Sequence, residues 1–207
     1  KDATRELTLH GHDGPVKWLA YVSPFPPAPE TDPPQPGSWL VSADAQDIRQ
    51  WDVARNQQVA VLVRNLDDLR SVSVDRLGKI LALADASGVT RTWRMPDMQR
   101  HQVIGPEPSR ISSVVTTAHN RWFAWADQRG HVSVVDIDRP LPRIEFDSGL
   151  SNVCLAFSPG GTMLAVAGEG DPPIQLHSVS TGEAKPLAAG VSAVRAVAFG
   201  DAGAQLA

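Results

Sequence analysis

Residues 48–53, IRQWDV, close an alternating run with a Trp-Asp pair at Trp51 and Asp52. Whether that tryptophan is incidental or one tooth of a repeat decides the fold. Steps of 42 residues from Trp51 reach Trp93 in VTRTWRM, Val135 in VSVVDI and His177 in IQLHSV, each at the end of an alternating, β-branched run. The segments one strand earlier keep the same phase: GSWLVSADA, GKILALADA, RWFAWADQ and GTMLAVAGE are short apolar runs ending in small or acidic turn residues. Those one strand earlier again, VKWLAYVSP, LRSVSVDRLG, ISSVVTTAHN, NVCLAFSPGG and VRAVAFGDAG, make five copies of one register, with Phe157 and Phe199 also 42 apart.

Period-two alternation bounded by Gly, Pro, Asp and Asn predicts strands separated by turns, and no window carries a 3.6-residue apolar stripe. Self-similarity at about 40–45 residues with several strands per unit is the pattern of a β-propeller, because each unit is a small sheet that must bury both faces against its neighbours. The predicted class is all-β, a propeller of four-stranded antiparallel blades, with Trp51, Trp93, Val135 and His177 on the third strand of each. The blades span about 11–62, 65–104, 107–147 and 149–187, with a partial fifth at 190–207. Residues 6–10, ELTLH, read as the last strand of a preceding blade. A ring broken in mid-blade exposes an apolar face, so the chain is expected to be an excerpt of a longer parent, a ring of seven blades.

These residues resemble the WD-repeat propeller family. LHGHDGPV holds the family's Gly-His pair as Gly11 and His12, IRQWDV holds its Trp-Asp pair, and LAFSPGGTMLAVAG is similar to its usual turn and following strand. The likeness covers roughly residues 5–207. It implies a blade-stiffening hydrogen-bonded set, and His12, Ser42 and Trp51 match three of its members. The turn Asp expected six residues before the Trp is Ala45, with Asp44 and Asp47 nearby, which leaves the set shifted or incomplete. Trp-Asp becomes Trp93-Arg94, Val135-Asp136 and His177-Ser178, and Gly-His does not recur, so the later units are expected to rely mainly on apolar packing. The Ala-, Arg- and Pro-rich, lysine-poor texture suggests a bacterial, high-GC origin. In that setting the resemblance implies the sensor half of a larger signalling kinase or NTPase.

The chain has 207 residues, 42% hydrophobic and 20% charged, a formal charge of −4 and a pI near 5.8. That is a globular composition with no global basic field, so no nucleic-acid partner is expected. No apolar run is long enough to span a bilayer, and no membrane partner is expected. The single cysteine, Cys154, lies in VCLAF, which excludes an intrachain disulfide and suggests a reducing compartment, the cytoplasm. No phosphate loop, His-Glu-x-x-His, Cys-x-x-Cys or Gly-x-Ser-x-Gly elbow is present, and neither a cofactor nor a metal is expected. His10 and His12 lie close enough in sequence to share a metal, but His12 already has its blade role. His101, His119 and His131 read as surface residues, and His177 as a packed one. Asp67-Asp68 offers half of a glycosidase carboxylate pair without naming the other half. Residues 24–37, PFPPAPETDPPQPG, insert seven prolines between two strands of the first unit. They read as a tolerated loop or as a PxxP ligand on the bottom face.

One local signal remains. In the first strand of each unit, the position after the leading apolar residue reads Lys17, Arg70, Ser112, Val153 and Arg195, and the next reads Trp18, Ser71, Ser113, Cys154 and Ala196. With Arg110 beside them, Lys17, Trp18, Arg70 and Arg195 form either a basic top-face patch with an aromatic anchor or ordinary solvated charge around a partly buried Trp18. The predicted function is a non-catalytic interaction scaffold or sensor that binds an acidic or phosphorylated protein segment through that face. The competing class is a propeller-based hydrolase, marked by mutually close acids or histidines at the channel mouth.

Overall fold

The computed structural model describes residues 8–22, 39–75, 79–95, 99–105, 109–117, 121–139, 143–187, 190–200 and 205–207. Sixteen strands form four antiparallel sheets, each strand pairing with the next in sequence. Sheet 1 contains β1 (Trp18–Val22), β2 (Trp39–Ala43), β3 (Ile48–Asp52) and β4 (Gln57–Val63). Sheet 2 contains β5 (Leu69–Val74), β6 (Ile80–Asp85), β7 (Thr90–Arg94) and β8 (Gln99–Ile104). Sheet 3 contains β9 (Ile111–Thr116), β10 (Trp122–Asp127), β11 (His131–Asp136) and β12 (Ile144–Asp147), and sheet 4 contains β13 (Ser151–Phe157), β14 (Met163–Glu169), β15 (Ile174–Ser178) and β16 (Ala184–Leu187). Trp51, Trp93, Val135 and His177 lie on the third strands β3, β7, β11 and β15. No helix among the described residues is long and apolar enough to cross a membrane.

Side chains alternate across a strand, so a strand buried on both faces serves two cores at once. Strand β6 does this. Its Leu81 and Leu83 join Val41, Ala43 and Ile48 of sheet 1, while Ile80, Ala82 and Ala84 join Phe123, Trp125 and Val135 of sheet 3. A third cluster sets Ala124, Ala126 and Val134 of sheet 3 against Leu155, Leu164 and Val166 of sheet 4. Each hydrophobic cluster thus fills one sheet-to-sheet interface. Truncating a residue such as Leu83 or Leu164 to Ala removes contacts worth about 2–5 kcal/mol.

The first strands lie side by side and are stitched through serines. The Val114 N–H donates to Ser71 Oγ (3.0 Å), the Leu155 N–H to Ser113 Oγ (3.2 Å), and Ser112 Oγ to the Val153 carbonyl (2.8 Å). The repeat register is exact at the pairing level. Trp18, Ser71, Ser113 and Cys154 sit opposite Ala43, Ala84, Ala126 and Ala167 on the second strands. In sheets 2, 3 and 4 a bulge interrupts the ladder just before that pair.

Short polar side chains cap the turns in phase, beside the apolar packing between the sheets. Asp75 accepts the N–H groups of Lys79 and Ile80, Thr117 those of Arg121 and Trp122, and Ser158 that of Met163. Asp52 accepts the Arg55 N–H, Asp136 the N–H groups of Asp138 and Arg139, and Ser178 that of Thr181. The position that follows the tryptophan in the repeat thus keeps a capping side chain in sheets 1, 3 and 4, as Asp52, Asp136 and Ser178.

After sheet 4 the chain crosses its far side. Ala193 bridges Glu169, the Val194 N–H reaches the Gly168 carbonyl, and Phe199 pairs with Leu206. Thr8, Leu9 and His10 carry no strand assignment, unlike the strand predicted over 6–10, because a strand is defined by ladder bonds and none is made there; residues 6 and 7 fall outside the described residues. The proline-rich segment 24–37 and His119 also lie outside them, as does the side chain of His101.

Candidate functional site

The top of the assembly is the end where the first strands begin and where the turns between second and third strands return. On sheet 1 this end is organised by one hydrogen-bonded chain. The Trp51 indole N–H donates to Ser42 Oγ (2.7 Å), Ser42 Oγ lies 2.7 Å from His12 Nε2, and His12 Nδ1 lies 2.9 Å from Asp44 Oδ2. A carboxylate only accepts, so His12 Nδ1 carries the proton, Nε2 accepts from the Ser42 hydroxyl, and Ser42 accepts from the indole. The set is complete, and its acid is Asp44, at the position directly after β2 rather than within the turn. The other Asp44 oxygen accepts the N–H groups of Gln46 (2.8 Å) and Asp47 (2.7 Å). Burial raises the Asp44 pKa, but those two N–H groups and the His12 imidazole outweigh it and hold it at about 2. Gly11 lies against the indole, where a Cβ would come within 3.0 Å of Trp51 Cη2.

The order Asp44, His12, Ser42 is also that of a hydrolase triad. A nucleophile must present its oxygen to a substrate carbon. Ser42 is 5% exposed and its oxygen already accepts the Trp51 N–H.

The structure brings Lys17, Arg70 and Arg110 together and adds an acid that sequence reading did not place among them. Asp68, held at φ 50° just before β5, accepts from Lys17 Nζ (3.2 Å) and pairs with Arg70 (2.9 Å). The Lys17 hydrogen bond and the charges of Arg70, Lys17 and Arg110 lower its pKa against a smaller opposing effect of burial. Two of the patch cations are therefore already partnered. Trp18 is half-buried and packs against the core between sheets 1 and 2, which makes it part of that interface rather than an exposed anchor. Arg195 is exposed in the segment beyond sheet 4, and no contact joins it to the other cations among the described residues.

Arg110 instead opens onto a groove between sheets 2 and 3, a cavity of about 340 Å³. Its floor is the turn Ala86, Ser87 and Gly88, and its other walls are Ser109, Gln128 and Arg129. Arg129 was not singled out from the sequence. The signal for it is the repeated turn ADASG at 84–88 and ADQRG at 126–130, which puts residues 128 and 129 at an exposed tip. Gly130 permits that turn at φ 91°, where a Cβ would meet the Leu150 carbonyl oxygen.

Other titratable groups lie elsewhere. His131 is 3.0 Å from Asp147 and 3.8 Å from Glu145, and Arg143 pairs with Glu145 at 2.9 Å. This group of two acids and a histidine sits on β11 and the edge strand β12, away from the first strands. His177 is buried and stacks on Phe146 at 4.0 Å. Burial pushes the Cys154 thiol up, and its Sγ donates to the Ala167 carbonyl (3.4 Å), an arrangement that disfavours a thiolate. Among the described residues no group of three or more His, Cys, Asp or Glu could hold a metal ion.

No protein-family model matches the chain, and no curated protein matches it significantly.

Proposed function

We propose that the four sheets are consecutive blades of a WD-repeat-like propeller and that the chain is a non-catalytic interaction module, binding a protein partner through its top face. The observation that carries this reading is the convergence of Lys17, Arg70, Arg110 and Arg129 at one end of sheets whose mutual interfaces are filled by packing. Arginine is favoured at interface centres because its planar donors bind carboxylates and phosphates with defined geometry.

The propeller reading also accounts for an exposed apolar side chain. Val72, Val114 and Leu155 each pack against the preceding sheet, and the equivalent residue of sheet 1, Leu19, is 60% exposed beside Tyr21 at 67%. In a ring that face meets a further blade. Trp51 remains 2% exposed there because Gly11 and His12 cover it.

The face assignment is tested by placing a benzophenone amino acid at Asp67, exposed at the top, or at Ser180, exposed at the bottom, and irradiating cells that express each variant. The proposal expects a discrete crosslinked protein from position 67 and none from position 180. The reverse pattern overturns it.

A further inference from the structure

The top face contains cations of two kinds. Lys17 and Arg70 share Asp68, so an incoming anion would have to displace an existing partner. Arg110 and Arg129 are exposed, and neither side chain has a hydrogen bond or ion pair among the described residues. They come from different elements, the segment entering β9 and the turn between β10 and β11, and line the same groove. The neighbouring acids have other partners: Asp68 pairs with Lys17 and Arg70 and feels the Arg110 charge only at longer range. Asp127 accepts the Ser109 hydroxyl and the N–H groups of Arg129 and His131, while Asp85 accepts the Ser87 N–H and hydroxyl and pairs with Arg91.

The backbone donors around the groove are also used. The Ala86 and Gln128 N–H groups go to the Asp67 and Arg110 carbonyls, and those of Gly88 and Arg129 to Asp85 and Asp127. The groove offers a ligand two guanidinium groups and the Gln128 amide, over a floor of small residues without an aromatic ring. Two unpartnered guanidinium groups match a dianion better than a carboxylate, which one of them already neutralises, and guanidinium oxygen recognition is strong when both partners are charged. The floor offers no surface on which a nucleobase could stack.

We propose that this groove is the subsite for a phosphorylated serine or threonine side chain of the protein partner. The assignment rests on the top-face reading and specifies its chemistry: Arg110 and Arg129, from two neighbouring segments of sheet 3, hold the phosphoryl oxygens, and Lys17 and Arg70 contribute only long-range attraction.

The probes are O-phosphoserine and a short phosphoserine peptide, followed through amide chemical shifts of the full chain. Saturable shifts are expected at residues 86–88, 109–110 and 128–129. Affinity should fall at least about tenfold in Arg110→Ala and again in Arg129→Ala, the usual scale for hydrogen bonds to charged groups. Binding should weaken as pH drops below about 6, where the monoester loses its second charge. Both arginines are exposed, and unchanged melting of the variants will show that the fold is intact. The assignment is overturned if glutamate peptide binds as tightly, if oligouridine competes equally, or if binding survives loss of both arginines. Absence of phosphoserine binding with the position-67 crosslink retained sinks the subsite alone. A crosslink from position 180 instead sinks the top-face reading, whatever phosphoserine does.

Discussion

Ser42 joins a donor and an acceptor that have no other partner in that chain of bonds, the Trp51 indole and His12 Nε2. Ser42→Ala leaves a buried indole N–H unsatisfied and should cost about 1–3 kcal/mol in urea unfolding, with Gly11→Ala also destabilising because the added Cβ meets the rigid indole. Asp44 adds a pH signature. Its folded pKa, about 2, lies below the ordinary value of 3.8, so its stabilisation is full above about pH 4 and is lost as pH falls toward 2. Asp44→Asn should be less stable at neutral pH and lose less stability over that acid interval. Three members of this chain were legible in the sequence. The fourth was not, because a motif offset of one residue matters less to a carboxylate than its reach: from the end of β2, Asp44 meets His12 on one side and the turn N–H groups on the other. Trp18 was ambiguous for a related reason, since alternation tells which side of a strand a residue takes but not whether a neighbouring sheet covers it.

At the scale of elements, the third strands form one register occupied by two tryptophans, a valine and a histidine, and His177 is the polar one. It stacks on Phe146 of β12 with Nδ1 unpartnered, and burial lowers its pKa from 6.5. The unfolded chain therefore takes up this proton first, and the contact between sheets 3 and 4 weakens as pH falls below about 6.5. His131 on β11 has the opposite sign. The Asp147 hydrogen bond outweighs burial and raises its pKa, so its contribution is present below 6.5 and is lost as pH rises through the raised value. Urea midpoints at roughly pH 5.5 and pH 8 should show His177→Phe relieving acid destabilisation and His131→Gln losing stability chiefly at the lower pH. A shared acid sensitivity of both variants and the parent chain would contradict this division. The strand register was readable from spacing alone, whereas the alanines opposite residues 18, 71, 113 and 154 emerge only from the pairing. The charge pairing at the top was not, because Lys17 and Asp68 meet across two sheets and 51 positions, and sequence spacing carries no information about such contacts.

For the whole molecule, a binding face made from the ends of three sheets exists only if those sheets are held side by side as one body. The repeat supplies that constraint twice, through the three apolar interfaces and through the serines that join neighbouring first strands. The groove between Arg110 and the Ala86–Gly88 turn depends on it directly, since its walls belong to sheets 2 and 3. Hydrogen exchange reads this packing at the amides of Val114 and Leu155, whose acceptors, Ser71 Oγ and Ser113 Oγ, lie on the preceding sheet. The account predicts that both amides exchange as slowly as those of the central strands β6 and β10, and that Ser71→Ala and Ser113→Ala accelerate Val114 and Leu155 respectively. Fast exchange at both positions in the unsubstituted chain, with β6 and β10 still protected, would mean that the sheets open independently and would contradict the shared top face.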